Sequence, residues 1–164
     1  NCDGFGDGTG KGTYRNNSTR EAYHKYEYPG IHRSLLFGLK AMLFYFSKQT
    51  TYSLAQISSG YRCRFKQYVT TNHQGKAIDI QFNKGTWAIR GRVYRNIAPL
   101  KDIRDTIIVS KLNAKTNWAE SNNYGLEPIG LNTDNSKIDG NHTYSWIHMD
   151  VREFDTQYLE DKYF

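Results

Sequence analysis

Two short segments far apart in the chain alternate between apolar and polar side chains, which is the pattern of β-strands with one buried face. The first is Ala77–Phe82, in which three apolar side chains on one face leave Asp79 on the other. The second is Tyr144–Val151, in which His148 and Asp150 share the polar face. Both strands are therefore expected to direct polar side chains away from the core, into a cleft or into solvent.

Two longer segments carry the helical period of apolar residues. The pattern in residues 31–48 predicts a core helix, and Pro99 is expected to open a second helix as its first residue. Further strands are predicted at 51–59 and at 124–127. Together these elements predict an α+β domain, with a small antiparallel sheet flanked by helices.

A length of 164 residues fits one domain. We expect residues 1–20, which are rich in glycine and small polar side chains, to form an irregular N-terminal arm, and residues 21–164 to form the single folded domain. The arm is not an EF-hand, because Phe5 and Tyr14 occupy ligand positions. The chain begins with Asn and shows no signal-peptide pattern, which predicts an excised domain or a processed product.

The overall charge indicates which classes of partner the chain could bind. A net charge of +6 favours an anionic partner, although such a charge could also act only to keep the protein soluble. The basic residues are scattered rather than gathered in a run, so we predict no nucleic-acid partner. No apolar run approaches the roughly 20 residues that cross a bilayer, so we predict no membrane span.

The two cysteines leave two interpretations open. Cys2 and Cys63 would form a disulfide in an oxidising compartment, or both would be free thiols. Two cysteines so far apart do not make a zinc site of their own.

The polar faces of the two strands carry the ligand types of a catalytic zinc site. Asp79 and His148, with His73 in the loop before the first strand, provide two imidazoles and one carboxylate. A catalytic zinc site uses three such ligands and leaves a fourth position open for water. A histidine on a strand face is also common as an ordinary polar residue, so the pattern alone leaves both interpretations open.

Three segments resemble the peptidoglycan D-Ala-D-Ala metallopeptidase family, within the larger group that includes lysostaphin-type enzymes and hedgehog domains. They are Ser59–Cys63 (SGYRC), Thr71–Ile80 (TNHQGKAIDI) and Trp146–Arg152 (WIHMDVR), in the family's order and across residues 50–153. The Gly-x-Ala-x-Asp core after a histidine is fairly specific, whereas Ser-Gly-Tyr-Arg alone is weak. The combination is similar to family members found as secreted antibacterial effector domains and phage lysis enzymes.

The resemblance implies a Zn²⁺ ion held by His73, Asp79 and His148 in a cleft on one face of the sheet. It also implies that Arg62 faces the substrate, where it would hold a peptide carboxylate or steady the oxyanion; a buried salt bridge behind the site is the alternative. Tyr61 and Trp146 would wall the substrate groove, or else pack in the core.

The chain departs from the family pattern between the histidine and the glycine of the second motif. The family places two residues there, whereas His73 lies one residue from Gly75. An ungapped overlay would put Asn72 at the ligand position. Asn is a poor zinc ligand, so we prefer His73 with a shortened loop.

A second departure concerns the general base. Many family members carry a Glu three residues before the last zinc histidine, and this chain has Ser145 there. We predict Asp150 as its substitute, since it shares a strand face with His148; the alternative is that Asp150 orients a ligand histidine. Glu127 is the reserve candidate. His142 is interpreted as a solvent-exposed loop residue, with a contact to the site as the alternative.

The resemblance implies a zinc metallopeptidase, either a D,D-carboxypeptidase or an endopeptidase, that hydrolyses an amide bond in peptidoglycan stem peptides or cross-links. Such a protein would be secreted or periplasmic and would act on the bacterial cell wall, with an immunity protein as a candidate partner. A non-catalytic, zinc-bearing binding module of hedgehog type is the main alternative. A basic nuclease is suggested by charge only.

Overall fold

The computed structural model describes residues 31–60, 75–116 and 123–151. Within them, helix α1 (Arg33–Phe46) forms inside the predicted range of 31–48. His32 caps it, because its Nδ1 accepts a hydrogen bond of 3.1 Å from the backbone N–H of Ser34. The buried face of α1 follows the apolar stripe: Leu35, Gly38, Met42 and Phe46.

The strands of the described residues form one six-stranded sheet, which confirms the α+β class. They are β1 (Tyr52–Ser59), β2 (Ala77–Lys84), β3 (Trp87–Ala88), β4 (Lys115–Thr116), β5 (Gly125–Leu126) and β6 (Ile147–Asp150). The order across the sheet is β1-β2-β6-β5-β4, and β3 pairs with β2 outside this path. The prediction of antiparallel pairing is confirmed for every strand pair except β4 and β5, which are parallel.

The second helical segment differs from its prediction at the start. A 3₁₀ turn at Tyr94–Asn96 leads into helix α2 (Ile97–Ile103), so Pro99 is the third residue of the helix and not the first. Proline is still tolerated there, because an N–H in the first helical turn has no partner inside the helix. A π-helical stretch, Arg104–Val109, follows α2.

The segment ends in the short helix α3 (Ser110–Leu112), which stops at Asn113 in the left-handed region, with φ of 52°. The predicted apolar stripe is confirmed as buried: Leu100, Ile103, Ile107 and Ile108.

The close fit of α1 against the sheet depends on Gly38. A Cβ atom at this position would lie 3.0 Å from the ring of Tyr124 and 3.2 Å from the end of Met149. The Tyr124 hydroxyl also donates a hydrogen bond to the Ser34 carbonyl. The absence of a side chain at Gly38 therefore lets α1 press against β6, the strand that carries His148.

The two central strands are buried on both faces. Ile78, Ile80 and Phe82 lie in the core on one face of β2, as the alternation predicts. The opposite face is also covered, since Asp79 is 7% exposed and Asp150 is 0% exposed. The side chains of Asp79, His148 and Asp150 therefore lie in the interior and not on an open surface.

Several predicted features lie outside the described residues: the arm at 1–20, both cysteines, and residues 153–162, for which the sequence predicts a helix. No helix in the described ranges is long and apolar enough to cross a bilayer.

Candidate functional site

His148 lies between Asp79 of the neighbouring strand β2 and Glu127, which directly follows the neighbouring strand β5. In the antiparallel pairing of β2 with β6, Asp79 stands directly opposite His148. On the other side of β6, Leu126 of β5 pairs with Met149, and the same register carried one residue further places Glu127 opposite His148. Residues opposite each other share a sheet face, so the side chains of Asp79 and His148 meet on one face, and Glu127 lies near enough to act on His148 through its charge.

Both ring nitrogens of His148 contact a carboxylate. Nδ1 lies 2.8 Å from Oδ1 of Asp79, and Nε2 lies 3.1 Å from Oδ2 of Asp150. A neutral imidazole carries one N–H and cannot donate to both carboxylates. The geometry therefore fits an imidazolium that donates two hydrogen bonds.

The electrostatics agree with a charged ring. Burial alone would lower the pKa of His148, but the hydrogen bonds to Asp150 and Asp79 raise it, and the charge of Glu127 adds to them. The net effect raises the pKa of His148 from 6.5 to about 9. Without a metal, the ring holds its second proton at neutral pH.

Asp79 and His148 are close enough to share one metal ion. Two ligand atoms lie about 3.3 Å apart when each is about 2.0–2.1 Å from a tetrahedral zinc. The present separation of 2.8 Å is that of a hydrogen bond, so a small opening of the pair would admit the ion. The donor types, imidazole nitrogen and carboxylate oxygen, are those that zinc accepts.

The described residues provide two ligands and not three. Asp150 contacts the opposite nitrogen of the ring, so it cannot share with Asp79 an ion bound at Nδ1. Accordingly, the described ranges contain no group of three His, Cys, Asp or Glu side chains that could hold a metal ion. The third predicted ligand, His73, lies outside the described residues, as do Arg62 and Tyr61.

Glu127 and Trp146 line a cleft beside this carboxylate–histidine cluster. The cleft has a volume of about 270 Å³, and we call it the loop cleft because the segment 128–143 forms most of its wall. Trp146 is half-buried, and its ring meets that of Tyr144 edge to face, with 4.9 Å between centroids. The lining comprises Glu127, Gly130, Lys137, Ile138, Gly140, Asn141, His142, Tyr144 and Trp146.

Most residues of this wall are not among those that the sequence pattern assigns to a functional site. His142 was expected to be exposed, but it lines the loop cleft, and its Nδ1 is buried with no hydrogen-bond partner. Lys137 was not singled out, because an Asn-, Gly- and Asp-rich stretch has no periodicity from which to infer a direction for its side chains. Ser145, at the family's Glu position, is buried.

No protein-family model, curated protein or solved structure matches this chain. Two residues from separate motifs, Asp79 and His148, meet across two strands, and an acidic residue lies on the far side of the histidine.

Proposed function

We propose that this chain is a zinc-dependent peptidase that hydrolyses an amide bond in peptidoglycan stem peptides or their cross-links. The observation that carries the proposal is the 2.8 Å approach of His148 Nδ1 to Asp79 Oδ1. These residues stand 69 positions apart in the chain, and both match the metal-ligand positions of the D-Ala-D-Ala metallopeptidase pattern.

Asp79 and His148 would hold the ion, with His73 as the third ligand. When bound in such a site, zinc lowers the pKa of a water molecule and polarises the scissile carbonyl. The chain must release one proton to bind it, because His148 carries a proton on Nδ1 in the hydrogen bond to Asp79.

Asp150 orients the ligand histidine in this proposal. Its carboxylate accepts the Nε2–H of His148, which fixes the tautomer that offers Nδ1 to the metal. Asp150 is 0% exposed, so it has no direct path to a substrate or to water in the loop cleft. This geometry favours the orienting role over the role of general base.

Glu127 is the general base in this proposal. It is half-buried, lines the loop cleft and stands beside His148 on the side away from Asp79. Its carboxylate would accept a proton from an attacking water that enters through the loop cleft, and would return it to the leaving amine. It would thereby replace the Glu that many family members carry at the position of Ser145.

The location and the partner of such a peptidase can be inferred from its substrate. The chain would act on the cell wall as a secreted or periplasmic antibacterial domain, with an immunity protein as its partner. Its net charge of +6 would favour retention on an anionic envelope.

A zinc-bearing binding module of hedgehog type is the second candidate. The observation that favours it is Ser145, since the usual catalytic Glu is absent there. This module would keep the Asp79–His148 metal pair and would leave peptides intact.

Metal analysis combined with a muropeptide digest tests both candidates. The near-isosteric D79N should lose stoichiometric zinc and the release of cleaved muropeptides, while D105N, on an exposed aspartate paired with Arg104, should retain both. Zinc retained by D79N would refute the metal site. Zinc bound by a wild-type protein that leaves muropeptides uncut would favour the binding module.

A further inference from the structure

One stretch of the chain, away from the cluster around His148, collects positive charge without negative charge. Between Asp79 and Asp102 the sequence holds five basic residues and no acidic one: Lys84, Arg90, Arg92, Arg95 and Lys101. We call residues 84–95 the cationic segment; it comprises the end of β2, the strand β3 and the turn that follows. Three of its side chains are exposed: Lys84, Arg92 and Arg95.

The three exposed cations are not neutralised within the described part of the chain. No carboxylate in the described ranges forms an ion pair with Lys84, Arg92 or Arg95. Asp102, the next acidic residue along the chain, instead accepts a hydrogen bond of 2.6 Å from the hydroxyl of Tyr52. The positive charge of the cationic segment is therefore available to an anionic partner.

Two of these cations lie over aromatic rings. The guanidinium carbon of Arg95 is 4.9 Å from the centroid of the Trp87 ring, and Nζ of Lys84 is 6.0 Å from that of Tyr52. Lys84 also stands opposite Trp87 in the pairing of β2 with β3. A guanidinium that lies over a ring keeps the N–H groups at its edge, which bind phosphate oxygens in pairs. Because a guanidinium is weakly hydrated, its pairing with a weakly hydrated phosphodiester costs less desolvation than pairing with a carboxylate.

The turn that carries Arg92 is held in one shape. Gly91 has a φ of 71°, which favours glycine, and its carbonyl accepts a hydrogen bond of 3.2 Å from the Val93 N–H. The buried side chain of Asn96 donates to the carbonyls of Arg90 and Gly91, at 3.0 and 2.9 Å. A ligand would therefore bind this turn with little cost in backbone ordering.

The aromatic side chains of the cationic segment favour a polymer without bases. Of its two rings, Trp87 is half-buried and lies under Arg95, whereas Tyr94 is 45% exposed. Proteins that bind single-stranded nucleic acid stack successive bases on several rings, and a single exposed ring does not provide such a platform. The backbone N–H of Tyr94 also donates to Oδ1 of Asn135 at 2.6 Å, so the cationic segment borders the loop that walls the loop cleft.

We propose that the cationic segment binds a flexible polymer that carries one phosphodiester in each repeat and no bases, through Lys84, Arg92 and Arg95. The inference goes beyond the proposed function, because this surface contains no residue of the cluster around His148 and its binding does not require an amide to be cut. It would also give the retention on an anionic envelope a defined location, beside the loop cleft.

The probe for this inference is an end-labelled oligomer of glycerol phosphate, titrated with the chelator-treated full chain and followed by fluorescence anisotropy. We expect R92Q/R95Q to bind the oligomer on the order of tenfold more weakly than wild type at low salt. The slope of log K against log salt concentration should become shallower by about 1.4, which is about 0.7 for each lost cation.

The matched control is K40Q/K48Q, which removes the same charge from exposed positions on and just after α1. Like Arg95, Lys48 lies over an aromatic ring, with its Nζ 5.1 Å from the centroid of Phe44. This variant should bind as wild type does. Equal weakening in the two double variants would refute a localised site and leave only the effect of total charge.

The single variant R92Q keeps the stack of Arg95 on Trp87 and should show about half of the change in slope. If urea denaturation shows that R92Q/R95Q is unfolded, R92Q decides the test, and an unchanged slope in R92Q would overturn the inference.

Two further polymers of matched charge test the chemistry of the ligand. Polyglutamate that binds as tightly as the glycerol phosphate oligomer would overturn the preference for phosphodiesters. Oligothymidylate that binds more tightly would show that the partner is a nucleic acid. Zinc content and muropeptide release are measured separately on R92Q/R95Q and should match wild type, so this inference and the proposed peptidase fail in different assays.

Discussion

Asp79 and His148 face each other across two adjacent antiparallel strands, with Oδ1 and Nδ1 2.8 Å apart in the buried interior of the sheet. Strand pairing fixes their backbones, and the contact of His148 Nε2 with Asp150 fixes the ring. The fold therefore holds the pair in one geometry, which would lower the entropic cost of assembling the metal site proposed above.

Zinc affinity should rise with pH. His148 must lose a proton to bind the ion, and its pKa of about 9 means that the protonated form predominates at neutral pH. We expect the apparent affinity to increase about tenfold per pH unit between pH 7 and 9 and then to level off. Competition with a chromogenic chelator, corrected for the chelator's own protonation, measures the slope. A flat profile over that range would contradict the assignment of His148 as a ligand.

The stability of the metal-free protein should change with pH in the opposite direction. The folded-state pKa of His148 lies above its unfolded value of 6.5. Its contribution to stability is therefore fully present below pH 6.5, and it is lost as the pH rises through about 9. Urea denaturation in the presence of chelator should show this loss in wild type and a flatter profile in H148Q. If the free energy of unfolding changed with pH in the same way in wild type and H148Q, the ion pairs of His148 would not be a source of stability.

The sequence predicted the parts of this site that depend on alternation. Asp79 and His148 were assigned to polar strand faces because Ile78, Ile80 and Met149 define the apolar ones, and the structure confirms those faces. The direct pairing of the two residues was not predictable, because the order of strands is decided by contacts between distant segments. The burial of Asp150 was missed for the same reason.

The loop cleft could not be predicted from the sequence for a different reason. Its wall is held by a bridge between Ile129 and Thr143 and by a turn at Asn135, whose φ is 67°. Asparagine tolerates such a conformation, but composition alone does not say where the neighbouring side chains point. Lys137 and His142 could therefore not be placed in the cleft from the sequence.

Replacing the two carboxylates beside His148 should separate their roles. E127Q is expected to bind zinc about as well as wild type and to lose roughly 10²–10⁴-fold in hydrolysis, as when a general base is removed. D150N should instead bind zinc about 10–100-fold more weakly, because the orientation of the ring is relaxed. Zinc titration and muropeptide release on the same samples give both values. Full activity in E127Q, with activity lost in zinc-saturated D150N, would return the role of base to Asp150.

Gly38 of α1, which packs against β6, allows a test of whether core packing affects the site around His148. In G38A, the new methyl group would meet the Tyr124 ring at 3.0 Å and Met149 at 3.2 Å, and the Tyr124 hydroxyl is already tied to the Ser34 carbonyl. Overpacking of this kind costs about 1–3 kcal/mol, which should exceed the gain of about 0.5–1 kcal/mol from replacing glycine in a helix. Urea denaturation should therefore show a net loss of stability for G38A, and little change for F37A, which truncates a side chain that is 71% exposed. Because Met149 follows His148 in β6, we also expect weaker zinc binding in G38A. A G38A protein that is more stable than wild type would show that α1 can move away from β6 without cost.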